Sequence, residues 1–537
     1  MSRAPAPGAS AMQPDPRYHA LARAAAAAMQ SGDDAATERA ARALVQINPR
    51  EHAAWHALAV VALHAGRADT AAELAERAHR LDRRNPGYLN TLGIAYGDLA
   101  RADEALAAFR RALKLDPAFA DGHYNLAKVL DRHGRPAEAR DAYRRALAID
   151  PAHRNAKHNL ARCLRRLGET AAALALARAA HDELPGDVDR MISLANALID
   201  AEGFPAGADL VERCLARLPG EARLHEWLGA ARLTLGEWEA GWREYLWRAE
   251  AVRPAGAAPA VLPEDLAGGV VLLTADQGLG DTLFFLRFAG AIRQRSGRAF
   301  VRAPAKLALL LAGHPDLDHV ASADGALPAG IDVMATVLLG DLPHCAGVRE
   351  VAPPLPLRAR AALVGEWRQA LGSLGAPPYV GLTWRAGSDL RTASELGARR
   401  HLLFKEIDPG VLARAVGGVP GTLVSVQRRP GEGETAALAR AAGRPVHDLS
   451  AANDDLERMT ALLDVLDGYV GVSNTNMHLR AGLGRAAQVL VPYPPEFRWL
   501  AAGERSPWFP EFGVYRQRPD RSWDDALARL RSDLGAG

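Results

Sequence analysis

Six leucines stand 34 residues apart in the first half of the chain: Leu58, Leu92, Leu126, Leu160, Leu194 and Leu228. A fixed period of that length means that one small helical unit recurs, and such a unit cannot bury its apolar face alone. Only stacked copies make a core. Glycines keep the register at Gly32, Gly66, Gly134, Gly168 and Gly236, where a short turn must join two helices; the Leu92 repeat lacks one. Prolines recur at Pro49, Pro117, Pro151, Pro185 and Pro219, with Pro86 three residues out of register. They are expected to open helices, because the missing proline N–H would be unpaired in a first turn anyway. Six helix pairs follow, with a partial seventh in front.

The unit is plainest in KLDPAFADGHYNLAKVLDRHGRPAEARDAYRRALAIDP, with Ala127 and Ala139 where paired helices must approach closely. It resembles the tetratricopeptide family. That resemblance implies an α-solenoid whose concave groove takes a peptide or protein partner. Asn90, Asn125 and Asn159 sit at or near one repeat position and are candidates for that groove, since an amide can pair with both donors and acceptors of an extended backbone. A solvated helix face is the alternative. The array closes on LGEWEAGWREYLWRAE, whose Trp238, Trp242, Tyr245 and Trp247 are expected to dock it on the next domain rather than to hold a ligand.

At 537 residues, 49% hydrophobic and 24% charged, the chain needs more than one core. Its 65 basic and 63 acidic residues leave a formal charge of +2, so no global field draws nucleic acid or an anionic membrane. Cys163, Cys214 and Cys345 lack metal-ligand spacing and suit a reducing compartment, with the cytoplasm expected. No apolar run is long enough to suggest a transmembrane segment. Residues 1–14 read as a disordered leader, 15–250 as the repeat array and 251–264, AVRPAGAAPAVLPE, as a linker.

Beyond the linker the grammar changes. GVVLLTA, RAFVRA, DHVASA, YVGLTW, GTLVSVQ, YVGVS and AQVLVPY read as buried parallel strands alternating with helices, the pattern of doubly wound α/β sheets. A helical stretch near 358–378 separates two strand groups. Two Rossmann-like lobes are expected, 265–360 and 378–537, with ligands at the carboxyl ends of the strands.

Three segments could carry chemistry. In LLTADQGLGDTLFFLRF a strand turns through Gly278 and Gly280 into a helix begun at Asp281; the glycines let a ligand approach the backbone and the helix start offers free N–H groups, with Asp281 as a plain N-cap the alternative, and Arg287 pairs with it or points at solvent. TWRAGSDLRTASELGARRHLLFKEI carries Arg385, Arg391, Arg399, Arg400, His401 and Lys405 after a strand, a set suited to a diphosphate, or a solvated loop balanced by Asp389, Glu395 and Glu406. YVGVSNTNMHLRAGLG places Ser473, Asn474, Thr475 and Asn476 at a helix start, with His478 in its first turn.

Together with the ending VLVPYPPEFRWLAAGERSPWFPEFGVYRQ, these segments resemble bacterial tetratricopeptide glycosyltransferases whose C-terminal domain is similar to the lipopolysaccharide heptosyltransferases. The resemblance covers residues 242–534 and implies a GT-B fold and inverting, metal-independent sugar transfer from a nucleotide sugar, a substrate rather than a cofactor. It implies Asp281 as general base beside Gly280, and Arg385, Arg399, Arg400, Lys405 and Gln427 at the donor, with Gly278, Ser473, Asn474, Thr475 and His478 lining the same pocket. A protein or glycan acceptor would be recruited by the repeats. The family commonly carries Asp-Thr where this chain has Ser473 and Asn474, so a non-catalytic scaffold with a degenerate transferase-like domain is the competing expectation.

Overall fold

The computed structural model describes residues 16–249, 261–386 and 405–535. The chain divides into two compact units, Met1–Pro185 and Gly186–Gly537.

The first unit is a run of five antiparallel helix pairs. They are Pro16–Ser31 with Asp34–Ile47, His52–His64 with Ala68–Leu81, Pro86–Asp98 with Ala102–Leu115, Ala120–Arg132 with Pro136–Ile149, and Arg154–Arg166 with Thr170–Glu183. The front pair, expected to be partial, is complete. Small residues set the approach: Ala59, Ala127 and Ala161 on first helices and Ala71, Ala105, Ala139 and Ala173 on second helices are fully buried. At Gly93 even a methyl group has no room, since its carbon would lie 2.6 Å from the Phe109 ring.

The turns explain the period. The register glycines adopt left-handed backbone angles, and the repeat that lacks one forces Ala100 to φ +57°. The prolines behave otherwise than expected. Pro49, Pro117, Pro151 and Pro185 lie in the turns after helices end, before the next helices begin at His52, Ala120, Arg154 and Val188. There they act as stops, following a C-cap rather than opening a first turn. Asn48, Asp116 and Asp150 fix three of these turns, and Asp82, in the same 34-residue register, fixes the turn before Pro86, each accepting the N–H two residues on at 2.9–3.1 Å. The out-of-register Pro86 does open its helix.

The second unit begins with two more helix pairs, Val188–Glu202 with Phe204–Leu215 and Ala222–Leu235 with Trp238–Tyr245. Compactness therefore groups the end of the array with the α/β region. The first of these helices, at 15 residues, is longer than the 13-residue first helices of the four pairs before it, and its turn glycine is Gly203. Of the expected linker, 251–260 lies outside the described residues. The part that follows is anchored: Leu262 is buried and its N–H donates to Cys345 O at 2.8 Å.

Two parallel sheets follow. The first holds β1 (Val270–Thr274), β2 (Arg298–Ala303), β3 (His319–Ser322) and β4 (Val333–Leu338) in the order β3-β2-β1-β4. After the helix Ala361–Leu374 comes the second, with β5 (Tyr379–Leu382), β6 (Thr422–Ser425), β7 (Val446–Asp448), β8 (Gly468–Val472), β9 (Ala487–Val491) and β10 (Phe512–Arg516). Its order is β10-β9-β8-β5-β6-β7. In each sheet the order changes direction beside the first strand, between β1 and β4 and between β5 and β8. Crevices for ligands open at the carboxyl ends of strands at such points. No helix among the described residues is long and apolar enough to cross a membrane.

Candidate functional site

At the β5/β8 crevice the polar side chains mostly tie the strand ends together. Asn474 caps the helix Thr475–Gly482, accepting the Met477 N–H at 3.3 Å, while its amide donates to Thr383 Oγ1 at 2.9 Å. Gln427, only 1% exposed, accepts the Trp384 and Arg385 N–H groups at 3.0 Å each and donates to Arg428 O. Both were expected to face a donor; here Gln427 holds backbone, and Asn474 ties the helix start to the Thr383 hydroxyl. Arg385 pairs with Glu434 and donates to Arg429 O at 2.8 Å, so its fork is already occupied. Arg399 and Arg400, with Arg391 and His401, lie outside the described residues.

The centre of the crevice is a carboxylate that the sequence reading did not single out. Glu496 follows β9, and its oxygens accept from Ser473 Oγ at 2.5 Å, Trp499 Nε1 at 3.0 Å, Lys405 Nζ at 2.6 Å and Arg498 Nη1 at 3.0 Å. Burial alone would raise this carboxyl, but Lys405 and Arg498 beside it hold it well below the usual carboxylate range. A small pocket opens here, lined by Lys405, Ser473, Pro492, Pro494, Glu496 and Trp499 among others.

Arg498 carries the network across to the first sheet. Its second nitrogen donates to Asp281 Oδ1, and its side chain is 4% exposed. Asp281 sits in the first turn of the helix Leu279–Leu286, whose cap is Gly278 with extended backbone; the N-cap reading of Asp281 does not hold. Gly280 marks where two helix starts meet. A methyl group there would lie 2.9 Å from His478 Cδ2 and 3.5 Å from Thr475 Cα. His478 is wedged against Phe284 and Phe509. Burial, reinforced by Arg498 and Arg287, drops its affinity for a proton far below the ordinary imidazole value, so it is neutral. Arg287 neither pairs with Asp281 nor points at solvent. It is buried among aromatic rings, donates to Phe284 O, Ala352 O and Trp508 O, and burial lowers it to about 9.

The helix pairs of the second unit brace this site. Tyr493 donates to Ile199 O at 2.8 Å, Arg521 bonds both Tyr493 O and Asp200, and the Ala501 N–H reaches Thr234 O at 2.9 Å. The segment carrying Glu496 and Arg498 is thus held at both ends. Trp242 packs edge-on against Phe285, Phe497 and Trp508, and Trp238 against Trp508. Trp247 instead stacks on His225 of the preceding helix pair. Beyond it, Arg248 enters the β1/β4 switch point and bonds Asp276 at 2.6 Å and Asp341 at 2.7 Å.

In the first unit, the asparagines form part of a ladder along successive first helices. Asn125 donates to Asn90 Oδ1 at 3.0 Å, and Asn159 to the Tyr124 hydroxyl at 3.3 Å. Lys128 lies over the Tyr124 ring, and burial together with Arg132 lowers its ammonium from the ordinary lysine value.

A family model described as tetratricopeptide repeat matches residues 90–154 and 124–188. Protein FlbA of Caulobacter vibrioides is 25% identical over 300 residues, which are 50% of this chain and 47% of that protein. The chain thus spans about half the length of this curated relative. Among solved structures, PilF of Pseudomonas aeruginosa is 20% identical and aligns 39% of this chain with 96% of its own, at a TM-score of 0.35. A thermophilic tetratricopeptide protein of Thermus thermophilus is 23% identical and aligns 34% of this chain with 99% of its own, at 0.31. The helix pairs, their 34-residue period and the family match agree: the chain carries an N-terminal array of tetratricopeptide repeats followed by a region of parallel sheets.

Proposed function

We propose that the chain is a glycosyltransferase of the GT-B type, moving a sugar from a nucleotide sugar to a protein or glycan acceptor recruited by the repeats. The observation that carries this reading is the polar network joining Asp281, at the helix start after β1, to Ser473, at the end of β8, and to Lys405, beside the bridge between Glu406 and Arg385, through Arg498 and Glu496. Two sheets with their switch points, and in Asp281 a carboxylate that stays partly exposed while Glu496 is saturated by its neighbours, suit an in-line displacement. The acceptor hydroxyl or amide loses its proton to Asp281 and bonds the anomeric carbon as the bond to the diphosphate oxygen breaks. Lys405 takes up charge on the leaving diphosphate, and the N–H groups opening the helix Thr475–Gly482 support it. Asn90, Asn125 and Asn159 would pair with an extended acceptor segment.

A second reading has its own support. With Ser473 in place of a carboxylate and Arg385, Gln427 and Asn474 engaged internally, the α/β region could serve a scaffold that has lost transfer. Thermal stability against UDP-, GDP-, ADP-, CMP- and dTDP-sugars separates the two. A ligand at about 100 times its Kd adds roughly 2.7 kcal/mol. One selective shift, followed by sugar release or transfer, supports the enzyme; folded protein with no shift for any nucleotide favours the scaffold.

A further inference from the structure

We propose that Glu496 is a positioning residue: its carboxylate holds the Lys405 ammonium towards an incoming diphosphate and aims Asp281 through Arg498. The inference rests on the transferase reading of this crevice and deepens it.

Saturation is the first argument. A carboxylate offers about four lone-pair sites. Ser473, Trp499, Lys405 and Arg498 supply four donors to Glu496, two on each oxygen. The residue therefore has nothing left for a ligand, and its chemistry is spent on its neighbours. Lys405 differs: one of its three hydrogens goes to Glu496, while its side chain is 28% exposed beside the pocket. A flexible lysine stem loses that aim without an anchor. Arg498 is the other arm, with one nitrogen on Glu496 and the other on Asp281, so the acceptor-side carboxylate takes its direction from the same anchor.

Rigidity is the second argument. Glu496 lies on a segment tied at Tyr493 to Ile199 and at Ala501 to Thr234, and Phe497 packs on Trp242 and Tyr245. A carboxylate fixed on both sides is suited to orienting others. Charge argues in the opposite direction, which makes the test decisive. Glu496 is an anion beside a site for anions, so if it merely competed with the ligand, neutralising it should tighten binding.

The probe is inorganic pyrophosphate, titrated into the full chain by calorimetry, with the nucleoside diphosphates alongside. Glu496→Gln, nearly the same shape without the charge, is expected to weaken pyrophosphate about 10-fold or more. Lys405→Gln is expected to weaken it similarly, and the double variant no further than either single change, because both break one arrangement. Glu496→Asp, which keeps the charge on a shorter arm, should fall between wild type and Glu496→Gln; it also serves if the glutamine variant does not fold. Unchanged or tighter binding in Glu496→Gln, or fully additive losses, overturns the proposal. Should the wild type bind no diphosphate, the transferase reading fails, and the labelling rate of Lys405 with an amine-reactive reagent still decides the holding role. Faster labelling in Glu496→Gln supports it, and an unchanged rate overturns it.

Discussion

Replacing Arg248 with methionine tests how firmly the end of the repeat array is built into the α/β unit. The Arg248, Asp276 and Asp341 side chains are 6%, 8% and 2% exposed, and the guanidinium bonds both carboxylates. Methionine fills much of the same volume but leaves two buried carboxylates facing each other. Breaking a buried pair in this way costs about 3–5 kcal/mol. At an unfolding entropy of about 2.1 cal/mol/K per residue, a unit of about 350 residues should then melt about 4–7 °C lower. Tryptophan fluorescence is the assay, because of the ten tryptophans only Trp55 lies in the first unit. Adding Asp276→Asn and Asp341→Asn should return most of the loss by removing the stranded charges. An unchanged midpoint in Arg248→Met, or a triple variant that melts lower than the single one, would refute the reasoning.

Ala100→Gly should stabilise the first unit by about 0.5–1 kcal/mol, since glycine relieves the left-handed strain at φ +57° but loses some of that gain to unfolded-state entropy; a urea midpoint followed by circular dichroism reads it. His56 is half-buried, bonding Thr91 Oγ1 at 2.8 Å, and the loss of water around it lowers it to about 4. Its neutral form stabilises the fold fully above pH 6.5, and the contribution drains away as pH falls towards 4, reaching about 2 kcal/mol of loss at pH 5. His56→Gln should flatten that dependence, and a variant that keeps the full wild-type slope would contradict it. Asp281→Asn should lower sugar transfer about 10²-fold or more with the fold intact; near-normal turnover removes Asp281 from the base role.

The repeats were legible because a period is redundant: six copies of Leu, Ala and turn residues report the same packing problem. What misled was position within the turn. A proline near a helix start and a proline after a helix end look alike in sequence, and at Pro49, Pro117 and Pro151 the Asx turns of the preceding Asn48, Asp116 and Asp150 mark the second kind. Seven of the ten strands were readable as apolar runs. The others are β7, three residues long, and the edge strands β4, with alternating burial, and β10, after an aromatic run. Motif reading found Asp281, Lys405, Ser473 and His478 because each sits at a strand-to-helix turn or beside a strand. It passed over Glu496 and Arg498, which gain meaning only when β9 brings them beside Ser473. The signal was there in PYPPEFRW: two ionic residues in a stretch otherwise of proline and aromatics, immediately after a buried strand.

The most direct test of the account is calorimetric titration of UDP, GDP, ADP, CMP and dTDP into the full chain and into its Lys405→Gln variant. One of these nucleotides is expected to bind the wild type selectively and to bind the variant at least about 10-fold more weakly. Absence of binding by all five to the folded wild type, or equal binding to both proteins, contradicts it.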